Sequence, residues 1–403
     1  MHCRGYYFLL LIFFLAGCDQ KLVKDGLVRE LYPSGDVLSD TYYKENKKHG
    51  AAREYYINGQ LKSETFYHQG LRQGPFKLYY SNKQVQKAGI FVKNKMTGPV
   101  SEYYRTGRLK SQVKFEQGRP EGGFVFYFQD GTTEMVGHYL HGKKFGTFNL
   151  YYETGHLKIT ENYKDDKLAG LKKQFYDTGQ LWREEYFLDG NLDGIVKEYS
   201  RSGVLSLIEG YTRGQKHGSH RKFSENGQLI NLENYINGKL NGISREFYSN
   251  GNWKVTRDYL DGQLNGVVKE YASDGKLRRE APYKDGKRFG LVKTYYENGQ
   301  LKGVGAYHHD QLEGLTEVYN EAGGLLMEAH FKDGKLDGTS TEYFDTGILW
   351  KTTSYKDNLK NGPVREYAQD GTLRSESVYQ MDVLSQKKEF DTKGRMISQW
   401  NLN

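Results

Sequence analysis

The sequence predicts an all-β fold, an elongated array of about 15 antiparallel β-hairpin repeats of 24 residues forming a twisted sheet or an open solenoid. Three observations carry this prediction. The first is composition: only 37% of the 403 residues are hydrophobic, yet 14% are aromatic, with 34 Tyr, 20 Phe, 48 Gly and 6 Pro. Disordered chains are as polar but poor in aromatics, whereas short aromatic strands joined by glycine turns have this composition. The second is recurrence: Gly26, Gly50, Gly74, Gly98 and Gly122 begin a series that runs in equal steps to Gly362. The third is alternation: Leu61, Ser63, Thr65 and Tyr67 fall on one side of an extended chain, and Lys62 and Glu64 on the other.

The elements of one repeat follow in order. A first strand covers roughly residues 52–56 and contains Tyr55, whose counterparts from Tyr79 to Tyr367 are all aromatic. A turn follows at Gly59, in a series from Gly35 to Gly371 that only Lys83 breaks. The residue before it is Ser, Asn, Asp or Thr except at Ala322, and such pairs are hairpin-turn signals. A second strand covers roughly residues 60–67, from Leu61 to Tyr67, and the counterparts of Tyr67 from Tyr43 to Tyr379 are again aromatic. The two aromatic series are expected to form the stacked core. A link over residues 68–75 then starts the next hairpin. It contains a position that is only ever Gly, Asn or Asp (Asn46, Gly70, Asn94, Gly118, Gly142, Asp166 and on to Asp382). Those types best tolerate positive φ, which predicts a left-handed turn there. Nothing in residues 26–400 reads as an amphipathic helix, because glycine recurs too often.

The N-terminus differs. Arg4 precedes an apolar run from Tyr6 to Ala16, too short to span a bilayer and of signal-peptide length. The following Leu15-Ala16-Gly17-Cys18 resembles the lipobox of bacterial lipoproteins. That resemblance implies cleavage after residue 17 and a diacylglycerol on Cys18, which holds the chain at a membrane surface. It places the protein in the bacterial cell envelope, lipid-anchored and extracytoplasmic. The expected organisation is a signal peptide at 1–17, a short linker at 18–25 and the repeat array at 26–403. The only cysteines are Cys3 and Cys18, so no disulfide can form inside the array.

The repeated pattern E-Y-Y-x-x-G-x-L…Y-x-x-G-x-x-x-G, as in residues 54–74, resembles the MORN-variant repeat over nearly the whole chain. The resemblance implies successive antiparallel hairpins laid side by side, each stacked on its neighbours because one hairpin cannot bury its aromatic face alone. Bacterial members are often labelled antitoxin components of toxin–antitoxin modules. Eukaryotic MORN proteins are linked to membrane and protein scaffolding.

Chemistry is sparse. An enzyme needs unlike residues converging in a pocket, but the repeat accounts for nearly every position, so no enzymatic activity and no cofactor are expected. The histidine pairs His308-His309, His138/His141 and His217/His220 lack partners at metal-ligand spacing and read as solvated turn residues, with no metal site. The net charge of +8 comes from interspersed Lys, Arg, Asp and Glu, without the basic block that nucleic-acid binding requires. Tyr56, Tyr80, Tyr104, Tyr152, Tyr248 and Tyr296 share a position that becomes Ser200, Ala272 and Asn320 elsewhere. They are expected to be exposed and available to a ligand. The leading functional expectation is a non-enzymatic lipid-anchored scaffold with a protein partner. A cell-wall glycan-binding lipoprotein and an antitoxin or immunity protein are the alternatives.

Overall fold

Two turns of different geometry alternate along the chain and set everything else. The structure, a computed structural model, describes residues 23–401, so the expected signal peptide at 1–17 and the expected lipidation site Cys18 lie outside the described residues. The chain divides into two units, Met1–Gly155 and His156–Asn403. No helix occurs among the described residues.

In the first unit, strands such as Lys47–Tyr55, Leu61–His68, Leu71–Tyr79 and Val85–Val92 each pair antiparallel with the next. The second unit repeats the pattern from Leu157–Lys164 to Met396–Asn401, with several return strands split in two, as at Lys167–Leu168 and Gly170–Phe175. The fold is thus all-β and antiparallel in both units, as the sequence predicts.

The first turn has two residues. Gln69 and Gly70 have φ of 49° and 85°, the pair of left-handed residues that a type I′ hairpin turn requires. The 15 Gly, Asn or Asp positions all have positive φ, and so do the residues before them, from Glu45 to Met381. The turn also joins neighbouring hairpins: the Gly70 amide donates to the Lys48 carbonyl at 2.8 Å. Where Asn or Asp replaces glycine, its side chain adds a second link, as Asn94 Oδ1 does by accepting from the Arg72 amide at 2.7 Å. The second turn runs from Tyr56 to Gly59, whose amide donates back to the Tyr56 carbonyl at 2.8 Å.

The expected link at 68–75 is corrected here. Only residues 69 and 70 turn; Leu71–Tyr79 is already strand. Gly74, at φ 111°, sits in a bulge within that strand. Thr65 opposes Phe76 and Tyr67 opposes Arg72, so Gln73, Gly74 and Pro75 face Phe66 alone. A bulge and a loop both call for glycine, and the sequence does not separate them.

The deepest row lies between the two aromatic series. In the first unit it contains Phe76, Val100, Phe124 and Phe148, the last only 1% exposed. In the second it contains Val196, Val268, Ala281, Val292, Ala329 and Val364. The recurring aromatics flank this row and are mostly half-buried, with Phe91 the buried member of the core cluster around Phe76 and Val100. Large residues oppose small ones along the row. Phe124 opposes Gly137, where an added Cβ would lie 2.7 Å from Phe124 Cε1 and from Phe148 Cδ1. Glycine here makes room for rings, not for a turn.

Gly218 has φ 81°, and a Cβ added there would have nothing within 4 Å, so any penalty is backbone strain. Gly218→Val is expected to cost about 1–3 kcal/mol, and Lys62→Ala about 0.5 kcal/mol or less. Urea denaturation of both variants checks this; equal midpoints would refute the turn geometry.

Candidate functional site

The deep row changes character between residues 161 and 257. Elsewhere it is mostly apolar, but here it carries Glu161, Glu185, Glu209 and Glu233 on one set of strands. Lys172 and His220 come from the return strands beside them. A local departure from an otherwise regular pattern marks a strained or functional place.

Each carboxylate is held. Glu161 accepts from Tyr163 Oη at 2.8 Å and lies 3.2 Å from Lys172 Nζ. Glu185, only 8% exposed, accepts from Arg183 Nε at 2.9 Å and Gln174 Nε2 at 3.2 Å. Arg183 reaches on to Glu198. Glu209 accepts from Tyr211 Oη at 2.8 Å and Lys216 Nζ at 3.1 Å. Glu233 accepts from Tyr235 Oη at 2.7 Å. The pairing tyrosines belong to the aromatic series that the sequence reading assigned to the core. Their hydroxyls thus make a half-buried carboxylate row tolerable.

His220 is the exception in this row. It is 5% exposed, which corrects the expectation of a solvated turn histidine. Its Nε2 lies 3.0 Å from the Gly210 carbonyl, which can only accept, so Nε2 carries the proton. Nδ1 lies 3.4 Å from Glu209 Oε1 but makes no hydrogen bond. The ring packs on Tyr235 with centroids 4.6 Å apart.

The electrostatics are coherent. Burial pushes the Tyr211 phenol upward, Glu209 adds to it, and the group reaches about 12. Burial and their own glutamates push Tyr163 and Tyr235 up as well. For Glu209 burial pushes upward, but the hydrogen bonds from Tyr211 and Lys216 outweigh it, and the carboxyl falls below its usual range. The tyrosines therefore remain donors and Glu209 an acceptor at neutral pH. Among the described residues no group of three or more His, Cys, Asp or Glu is placed to hold a metal ion.

The six tyrosines picked from sequence sit differently from the expectation. Tyr56, Tyr80, Tyr104, Tyr152, Tyr248 and Tyr296 are half-buried, not exposed. Five of their hydroxyls donate to a backbone carbonyl one repeat ahead: Tyr56 to Tyr79 at 2.8 Å, Tyr80 to Tyr103 at 2.9 Å, Tyr104 to Tyr127 at 2.7 Å, Tyr248 to Tyr271 at 2.9 Å and Tyr296 to Tyr319 at 2.7 Å. Tyr32 and Tyr176 do the same. These tyrosines clip successive repeats together, a role that variation in sequence conceals because repeats without the clip still have their ladder bonds. Cations cover several of the rings, including Lys110 over Tyr104 at 5.8 Å and Lys302 over Tyr296 at 5.5 Å.

Comparison with known proteins gives one family. The family model described as MORN repeat variant matches residues 48–69, 146–165, 168–189, 216–237, 264–285, 290–309 and 336–357. No curated protein matches the chain. Among solved structures, the crystal structure of TcdB2-TccC3 matches with 12% identity and a TM-score of 0.15, covering 94% of this chain and 25% of that one. The Photorhabdus luminescens Tc holotoxin pore matches with 12% identity and a TM-score of 0.17, covering 88% and 23%. The chain thus spans about a quarter of the length of the solved chains it matches.

A phenol whose folded pKa lies above its unfolded value of about 10 contributes its full stabilisation below that pH and loses it as pH rises through the folded value. Stability is therefore expected to fall between about pH 10 and about pH 12 as Tyr211 and its neighbours ionise. Tyr211→Phe should make that fall shallower, as measured by denaturation midpoints alongside tyrosinate absorbance. An identical slope in the variant would show that Tyr211 is not held in this way.

Proposed function

We propose that this chain, a MORN-variant repeat protein, is a non-enzymatic scaffold that binds another protein through an open sheet face at the outer side of a bacterial membrane, where a lipid on Cys18 anchors it. One observation carries the reading. On the sheet face opposite the glutamate row, an aliphatic residue is left uncovered at the same place in five of six successive repeats, Ser219 being the exception. Leu171, Ile195, Ile243, Val267 and Leu291 are 39%, 51%, 43%, 37% and 53% exposed. Single exposed aliphatics need no explanation, but an aligned series marks an interaction surface. The backbone beneath is already paired within the sheet, so a partner would be read through side chains. The lipobox-like Leu15-Ala16-Gly17-Cys18 supports the anchor.

Exposed Trp182 and Trp350, whose rings lie 6.1 Å from those of Tyr176 and Phe344, favour a second reading, a cell-wall glycan ligand held on flat aromatic surfaces. An antitoxin or immunity role is the scaffold reading with a harmful partner, and the partner's identity decides it.

The test is cross-linking in the native cell, then affinity capture of the mature protein and mass spectrometry. One protein recovered in near-equal amount is expected, and its yield should fall in an Ile195→Ser, Ile243→Ser double variant. Recovery of no protein above background would overturn the scaffold reading and leave the glycan.

A further inference from the structure

Beside that aliphatic series runs a row of charge that the chain does not neutralise. In four consecutive repeats of the second unit, Lys197, Arg221, Arg245 and Lys269 take the same place on the sheet. They lie one residue from Val196, His220, Ser244 and Val268 of the deep row, so they point to the opposite face. The residues directly opposed between them are Ile208, Leu232 and Thr256, none of them acidic. Acids appear only at the ends of the row, where Glu184 opposes Lys197 and Glu280 opposes Lys269. Both are engaged outward, Glu184 with Lys173 at 3.2 Å and Glu280 with Lys293 at 3.4 Å. Among the described residues, none of the four cations has an acid within ion-pair distance. Arg245 stacks over Trp253 at 5.3 Å, and its buried Nε has no hydrogen-bond partner.

Two strands separate successive cations, so they stand about 9.6 Å apart. At that separation, beyond the Debye length of about 8 Å in physiological salt, their mutual repulsion is largely screened, so they can stand in line without acids between them. The exposed Ile195, Ile243 and Val267 stand two residues from Lys197, Arg245 and Lys269, on the same face and about 7 Å away. Cation and aliphatic thus stand side by side in three of the four repeats; Arg221 instead has Ser219, to whose hydroxyl its Nε donates at 3.3 Å.

We infer that this row docks an acidic amphipathic helix of the partner protein, its carboxylates one heptad apart and its aliphatic residues alongside. This deepens the scaffold reading and rests on it. The spacing selects the helix. Residues seven apart on an α-helix share a face and lie about 10.5 Å apart, and long Lys and Arg side chains absorb the difference from about 9.6 Å. In an extended strand, residues about 10 Å apart are three positions apart and point to opposite faces. The aliphatic neighbours distinguish this surface from a purely electrostatic polyanion site.

The test uses the mature chain and two fluorescent synthetic peptides of about four heptads. One carries Glu at every seventh residue beside Leu three and four positions on. The other has the same composition with the Glu residues spread around the helix. The first is expected to bind about tenfold more tightly by anisotropy, and Arg221→Glu with Arg245→Glu should abolish that difference. Lys302→Glu, elsewhere on the chain, should leave it intact, and circular dichroism melting confirms that the variants fold. Equal binding of both peptides overturns the proposal. So does tighter binding to heparin or to phosphatidylglycerol vesicles, which would make the row a general polyanion or membrane site. The same double variant in the native-cell capture separates the two readings. Loss of the partner supports this surface. An undiminished partner overturns the surface and leaves the scaffold standing, whereas no partner with either protein overturns the scaffold.

Discussion

Left-handed backbone at fixed places is the constraint on which the rest of this structure depends. In every repeat a two-residue turn at positive φ reverses the chain, a second turn closes on a left-handed residue, and a bulge takes up the residues that would otherwise shift the pairing. A strand shifted by one residue turns all its side chains to the other face. Because the turns recur every 24 residues from Gly35 to Gly371, side chains from different repeats collect into rows.

Three rows show what this permits. The deep row is packed by volume, with Phe124 and Phe148 filling the space that Gly137 leaves. Between residues 161 and 257 it becomes a row of carboxylates, each with a donor from the neighbouring tyrosine, lysine or arginine. On the opposite face Lys197, Arg221, Arg245 and Lys269 stand in line without acids between them. The deep row has its countercharge within the chain and the cationic row does not. That contrast separates a row that stabilises the sheet from the one proposed to dock a partner.

Much of the fold was legible because its signals are strict. The restriction to Gly, Asn or Asp from Asn46 to Asp382 pointed to left-handed backbone, and all of those residues have it. The residue before each, such as Gln69 or His141, is equally left-handed; seven of these fifteen residues are Asn or Asp, as a type I′ turn favours, but Glu, Gln, Lys, Arg, His and Met fill the rest, so the sequence marks the place only weakly. Reading residues 68–75 as a link failed because Gly74 serves a bulge. The six tyrosines failed as exposed residues because a hydroxyl seeking a carbonyl one repeat away has no signature in a single sequence. His220 was read as a turn residue from its neighbours, whereas its register puts it in the deep row beside Glu209. The cations were each visible, but composition gave only a mixed-charge chain; stepping one whole repeat at a time from Lys197 is what aligns them.

The most direct measurement removes sequence in whole and fractional periods. Deleting residues 218–241 takes out one complete repeat and joins His217 to Gly242. Deleting residues 218–240 takes out one residue fewer and leaves Asn241 as an extra residue at the join. Thermal melting followed by circular dichroism should show the first variant unfolding cooperatively near the parent, with one hairpin fewer. The second should melt lower and less cooperatively, because one strand must slip or bulge to restore the rows. Equal melting of the two would contradict the claim that the register of the repeat holds this protein together.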